Sequence, residues 1–458
     1  MFYFNTYIFT TMTKRKRERS RTPRECEISN LAAPPGSYER SRAEGIMIVM
    51  FMILLTFVGA AGNIYTYFLA KEEDSEKKSA AAKAREPRIR STWEKENEQI
   101  SHSQFYRLFR MTRPCFKKLV KKIRNAVGEK EFKSQTYLEN LNDLGYSTQE
   151  SRMYQARKLT NGEDVSGEVK LAMTLRLLAG ASYLDMFLWF NVSPDHVRAI
   201  TRYVMKHWIC NDEVVCIDFF KTVLQDQENR DRIRSNFARK TDGVMCGVIG
   251  ALDGWLVRIQ SPTFKEVCNP GKYFSRKGFY AINCQVIVDM KKRVLWRHIG
   301  EKGSSHDSPV FKESFLGRHL VEIAAELMHK GLYLVGDSAY AIRLYLLVPY
   351  DNARPGSKED SFNFFLSSKR IYVECAFGEI DRRWGIFWKP LTGALENHQY
   401  IIDSALRLHN FIVDYREEIK GNSAVEEMLY DNVSELDEAC EIFMMDHPFE
   451  PVVVLWWG

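Results

Sequence analysis

Three acidic residues stand out by type and position: Asp253 in Gly250-Ala251-Leu252-Asp253-Gly254, Asp337 in Leu334-Val335-Gly336-Asp337-Ser338, and Glu374 in Val373-Glu374-Cys375-Ala376. Carboxylates converging from separate parts of a chain offer hard oxygen ligands, and Mg²⁺ needs no His or Cys in such a site. Paired divalent ions can activate a nucleophile and stabilise the leaving oxygen of a phosphodiester. Taken singly, each acid has an ordinary explanation, because Asp-Gly and Gly-Asp-Ser are frequent turn sequences. The chemistry depends on what brings them together.

The elements needed for that are legible. Val244–Val257, Phe279–Asp289 and Val294–Ile299 are β-rich runs. A helix is expected from Ser308-Pro309 through about His319, then a short buried strand at Leu332–Val335, then helices at Ile371–Trp384 and Tyr400–Tyr415. Three strands, helix, strand and helices is the order of a ribonuclease-H-like α/β domain, a mixed sheet flanked by helices. It places Asp253 at the end of the first strand, Asp337 at the end of the fourth and Glu374 on a late helix.

Ahead of that domain the periodicity is helical. Phe105, Leu108, Phe109, Phe116, Leu119, Val120 and Ile123 recur at helical spacing around Pro114, and eight bases with no acid lie between Gln104 and Arg124. Further on, Ala181–Phe190, a break at Asn191-Val192-Ser193-Pro194, and Asp195–Trp208 read as helix, tight turn, helix. Ser193 serves as the N-cap and Pro194 as a first-turn residue. The second helix carries Arg198, Arg202 and Lys206, as in a DNA-binding helix-turn-helix, although many helical hairpins share the pattern.

The whole chain has 458 residues and a net charge of +6, which conceals segregation. Residues 14–24 carry seven bases and one acid, whereas 421–458 carry nine acids and no Lys or Arg. A basic arm and basic body suit a polyanion better than an acidic small substrate. The basic arm reads as a nuclear address or a nucleic-acid arm. Ile46–Ala70 holds 25 residues without a charge, which qualifies it as a candidate transmembrane segment and sets a membrane-anchored protein beside the nuclear reading. Nine scattered cysteines include no Cys-x-x-Cys pair, which leaves reduced thiols and excludes a zinc knuckle. The expected organisation is therefore a basic, poorly structured region at 1–97 with the apolar segment 46–70, a helical DNA-binding-like region at 98–240, a catalytic domain at 241–420 and an acidic tail at 421–458.

Five motifs occur in a fixed order: Ala251-Leu252-Asp253-Gly254, Gly303-Ser304-Ser305-His306-Asp307-Ser308, Gly336-Asp337-Ser338-Ala339-Tyr340, Val373-Glu374-Cys375-Ala376-Phe377-Gly378, and Arg407-Leu408-His409-Asn410-Phe411. Together they resemble the DDE-type transposases of the PIF/Harbinger superfamily, including its domesticated nuclease relatives, over about 101–415. The resemblance implies a ribonuclease-H-like nuclease behind a helix-turn-helix-like region, with Asp253, Asp337 and Glu374 as the catalytic, metal-holding triad. It further implies cut-and-paste chemistry on terminal repeats of DNA and a Myb-like DNA-binding partner protein. The carboxylate chemistry itself makes Mg²⁺ the expected cofactor, with Mn²⁺ as the alternative, and a homo-oligomer is left open beside a monomer. The rival is a catalytically silent, domesticated DNA-binding or interaction protein of the same fold. Two features depart from the family pattern: a short segment between Asp337 and Glu374, and the apolar stretch 46–70.

Other residues are weighed on their own chemistry. Lys272, Arg276 and Lys277 lie beside Tyr273 and Phe274, a composition suited to a DNA-contacting loop. Arg382 and Arg383 follow Glu374 on a helix whose oily face is Val373, Phe377, Ile380 and Trp384, and either bind phosphate or are solvated. Asp307 precedes Ser308-Pro309 and reads first as a helix start, second as a metal-site neighbour. His306 and His409 read as satisfied structural histidines.

Overall fold

A computed structural model describes residues 100–133, 164–239, 241 and 243–420, together with Met47 and Met50. The basic arm, the acidic tail and, apart from those two methionines, the apolar segment 46–70 lie outside the described residues. Among the described residues, no helix is long and apolar enough to cross a membrane. The chain divides between Glu86 and Pro87, and the helices and strands from His102 to Ile419 belong to the second unit.

The first helices begin where local capping permits. In α1 (His102–Phe109), Ser101 accepts from the Gln104 amide while the Gln104 side chain returns a bond to the Ser101 amide, a reciprocal cap. In α2 (Arg113–Val127), Thr112 caps and Pro114 occupies the first turn, where its missing N–H costs nothing. After the short α3 (Glu129–Lys133) comes α4 (Gly167–Leu178), buried on nearly every side. The expected helix pair follows as α5 (Tyr183–Phe190) and α6 (Pro194–Tyr203). Ser193 accepts from the His196 amide, as its N-cap role requires, and α6 continues into a π-helical turn, Val204–Ile209. α7 (Gln227–Arg239) then leads to the sheet.

Five strands form a mixed sheet in the order β3-β2-β1-β4-β5: β1 (Val248–Arg258), β2 (Ala281–Val288), β3 (Val294–Lys302), β4 (Tyr333–Val335) and β5 (Leu346–Leu347). The β1-β2-β3 meander is antiparallel, and β4 and β5 add in parallel. Between β3 and β4 run α8 (Asp307–Glu313), α9 (Phe315–Glu322) and α10 (Ala324–His329). α11 (Lys358–Arg383) packs on β1 and β2, α12 (Leu395–Ile419) packs on β3, and α7 packs on β1. This is the ribonuclease-H-like α/β arrangement expected. One hydrophobic cluster runs from Phe105 to Tyr415, so the helical region and the sheet share a core.

Three local expectations change. Asp253 does not end the first strand: β1 continues to Arg258 because β2 pairs with it as far as Arg258↔Ala281. The helix expected from Ser308 to His319 breaks at Ser314, whose hydroxyl caps α9. α11 begins at Lys358, well before Ile371, because Ser357 caps it and Leu366 and Lys369 are buried.

Candidate active site

Sheet register sets two of the acids. Ala251 pairs with Val335 in the parallel ladder, so Asp253 and Asp337 each lie two positions beyond the same pair. Past Val335 the chain leaves β4, and β1 has β2 alone as its partner there. Glu374 arrives from α11, which lies across β1.

Arg370, one turn before Glu374, ties the group together. Its Nη2 donates to Glu374 Oε1 at 3.1 Å, and its Nη1 lies 3.8 Å from Asp337 Oδ1. Burial pushes the Asp253 carboxyl up to about 6, against the pull of Arg370 and a 2.8 Å bond from the Gly254 amide, and the charges of Asp337 and Glu374 push it further. Burial likewise raises Glu374; Arg370 opposes this and Asp337 adds to it. Three acids and one guanidinium thus form one electrostatic unit. Asp337 also accepts from the Ser338 amide, which fixes the carboxylate at the start of its loop.

A polar layer backs the site. Asp307 Oδ1 accepts from Asn283 Nδ2 at 2.9 Å and Gln285 Nε2 at 2.8 Å, and Gln285 Oε1 accepts from the Tyr340 hydroxyl. The network joins β2, α8 and the loop after Asp337. It also explains Gly254, where a Cβ would stand 2.5 Å from Asp307 Oδ1. Asp307 is indeed the first residue of its helix, yet its carboxylate turns toward β2 instead of capping. Asn283, Gln285 and Arg370 are the residues that sequence reasoning missed. The available signals were two amides alternating on an otherwise apolar strand and an Arg-x-x-x-Glu spacing on one helix.

The expected nucleic-acid residues fall into distinct surroundings. Lys272, Arg276 and Lys277 are exposed, and Arg276 Nη2 lies 3.6 Å from Asp307 Oδ2, which brings that loop to the polar layer. Arg382 is exposed. Arg198 is half-buried, bonds Asp195 Oδ1 at 3.0 Å and lies over the Tyr183 ring; Arg202 is half-buried; Lys206 sits over Tyr400. Arg383 is buried, its guanidinium bonded to Glu379 and His409. A guanidinium enclosed in that way has no face for a phosphate, so it leaves the set of DNA contacts. His409 bonds Arg383 and the Lys292 carbonyl, as a structural histidine does, and His306 is exposed at the start of α8.

Carboxylates are the donor type for a hard divalent cation, and these three converge from separate elements, so the donor set fits such an ion. Their present spacing is that of a cluster held around a guanidinium: among the described residues, no group of three or more His, Cys, Asp or Glu is close enough to hold a metal.

Comparisons with known proteins agree with the geometry. Residues 252–410 match the model of the family described as DDE superfamily endonuclease. The chain is similar to "Putative nuclease HARBI1" of Rattus norvegicus, 31% identical over 178 residues, and to that of Bos taurus, 27% identical over 173; each match covers 37% of this chain and 47% of the relative. It is also similar to "Protein ALP1-like" of Arabidopsis thaliana, 28% identical over 274 residues, covering 57% of this chain and 64% of the relative. The chain thus spans about half the length of the HARBI1 relatives it matches. No solved structure matches it significantly. The mixed sheet, its flanking helices and the family match coincide: this chain carries a DDE superfamily endonuclease domain, and all three acids lie inside it.

Proposed function

We propose that the chain is a metal-dependent DNA endonuclease of the transposase type, cleaving phosphodiester bonds and transferring strands, with Asp253, Asp337 and Glu374 as its cation-holding triad. The observation that carries this reading is the electrostatic convergence of the three acids, from β1, the loop after β4 and α11, on one guanidinium. The printed name of the HARBI1 relatives, a nuclease, supports the same reaction class. A bound Mg²⁺, or Mn²⁺ in its place, would polarise the phosphate and lower the pKa of an attacking water. Asp253 and Asp337, adjacent in register, would hold the cation from the sheet side, and Glu374 would complete the set from α11.

Around the triad the chain's own residues bind and orient. Lys272, Arg276 and Lys277 line one exposed loop and would take phosphate oxygens, as would Arg382 on α11. Such contacts position a duplex without reading its sequence. Asp307, held by two amides, keeps Gly254 and the neighbouring Asp253 in place. Arg198, Arg202 and Lys206 on and after α6 would give a second, weaker DNA surface. The basic run at 14–24 suits a nuclear address, and the family resemblance adds a Myb-like partner.

The test is Mg²⁺-dependent nicking of plasmid DNA by the full chain. Asp253→Asn, Asp337→Asn and Glu374→Gln should each abolish it, and full activity in any one of them removes that residue from the triad. A second reading, a silent DNA-binding protein, draws on the guanidinium among the acids and the lack of a ready three-ligand group among the described residues. Its signature would be salt-dependent DNA binding that survives all three substitutions, with no cleavage by the parent protein.

A further inference from the structure

Arg370 is placed unlike an ordinary structural arginine. It meets two different acids with one nitrogen each, at 3.1 and 3.8 Å, instead of forking onto one carboxylate. The longer distance is Coulombic attraction and not a hydrogen bond. Its Nε is buried with no hydrogen-bond partner, so the guanidinium is poorly satisfied where it stands. The backbone beneath it is fixed: neighbouring Lys369 is buried and donates to the Phe237 carbonyl and to Thr241 Oγ1, which anchors this turn of α11 to the end of α7. The side chain alone can leave, by rotating about its own stem. What holds it is the charge of the acids, and another cation can supply that attraction.

We propose that Arg370 is a resident counter-ion: it occupies the carboxylate site in the metal-free protein and is displaced when a divalent cation enters. The proposal rests on the reading of Asp253, Asp337 and Glu374 as cation ligands. It makes Arg370 a positioning residue that keeps three acids gathered before the metal arrives and sets a threshold for metal entry. Because the guanidinium competes with the metal, removing its charge strengthens metal binding, whereas an arginine needed to orient Glu374 would weaken binding on removal.

The experiment measures Mn²⁺ binding to the full chain at pH 8 by loss of the free-ion electron paramagnetic resonance signal. Wild type is compared with Arg370→Gln, Arg370→Lys, Asp253→Asn and, as a distant charge control, Lys358→Gln. The expected result is binding about tenfold tighter in Arg370→Gln, as for removal of one nearby like charge, with Arg370→Lys between, Lys358→Gln unchanged, and loss in Asp253→Asn. Thermal unfolding in EDTA establishes that each variant is folded. Binding by wild type that depends on Asp253 but is equal or weaker in Arg370→Gln overturns the counter-ion and leaves the triad standing. An equal gain in Lys358→Gln reduces the effect to net charge and also overturns it. Absence of Asp253-dependent binding in both wild type and Arg370→Gln sinks the triad reading and the counter-ion with it.

Discussion

One helix, α11, carries two Arg–Glu pairs at the same four-residue spacing, and they have opposite characters. Glu379–Arg383 is closed: the side chains are 10% and 5% exposed, Glu379 also meets Arg416 and Lys292, and Arg383 also meets His409. Arg370–Glu374 is open: Glu374 is 42% exposed, the arginine keeps an unpartnered Nε, and nearby Asp253 is strained upward in pKa. In the first pair every charge has a partner within the protein. The second gathers more negative than positive charge, with Asp253 largely enclosed and Glu374 reaching solvent. Spacing alone therefore does not distinguish a structural ion pair from a site prepared for an outside cation; what surrounds the pair does.

The largest effect is expected at the closed pair. Arg383→Ala strands Glu379 in the interior and should cost about 3–5 kcal/mol of stability in urea unfolding. A loss near zero would mean that Glu379 is served well enough by Lys292 and Arg416.

pH separates the two pairs by sign. Burial first, then Arg383, hold His409 down to about 4, so between pH 4 and its ordinary 6.5 the unfolded chain binds more protons. Stability in that region is present above 6.5 and is lost as pH falls. Glu379 acts in the same sense at lower pH: burial works to raise it, but Arg383, His409, Lys292 and Arg416 prevail and hold it well below the usual carboxylate range. Asp253 does the opposite. Its folded value of about 6 exceeds the ordinary 3.8, so the folded state binds more protons in between, and stability is gained as pH falls through 6. In EDTA, Asp253→Asn should therefore steepen the loss of stability between pH 6.5 and 4, and His409→Gln should flatten it. The two variants changing the slope in the same direction would refute the assignment.

The smallest effect is expected at the open pair. Arg370→Ala should change metal-free stability by about 1 kcal/mol or less, since Glu374, 42% exposed, is left facing solvent when its partner goes. A loss as large as that of Arg383→Ala would erase the distinction between the two.

Much of this was legible in the sequence, for identifiable reasons. Strands β1 to β4 announced themselves by apolar runs, and Ser193-Pro194 marked a helix start by its capping chemistry. The acids could be named because the motifs around them keep their order. Asp253 was misplaced within its strand because Asp-Gly is a turn sequence, and only pairing with β2 carries the chain straight through it. The first half of α11 was hidden because Phe- and Ser-rich Ser361–Ser368 has weak helix propensity, and burial of Leu366 and Lys369 overrides it. Arg383 looked like its neighbour Arg382 until the fold turned one inward and the other out. β5, two residues long, has too little sequence to signal anything.

The parallel β1–β4 pairing also bears on the order of events during synthesis. The β2-β3 hairpin closes a short loop and can form early, but Ala251 meets Val335 only after the three helices between β3 and β4 have been made, and Glu374 follows later still. A chain stalled before Asp337 holds at most one of the acids, and one stalled between Asp337 and α11 holds two, in both cases without Glu374 and Arg370. On the proposed role of the three acids, cleavage is withheld until α11 has left the ribosome, a safeguard that comes from the order of the elements along the chain.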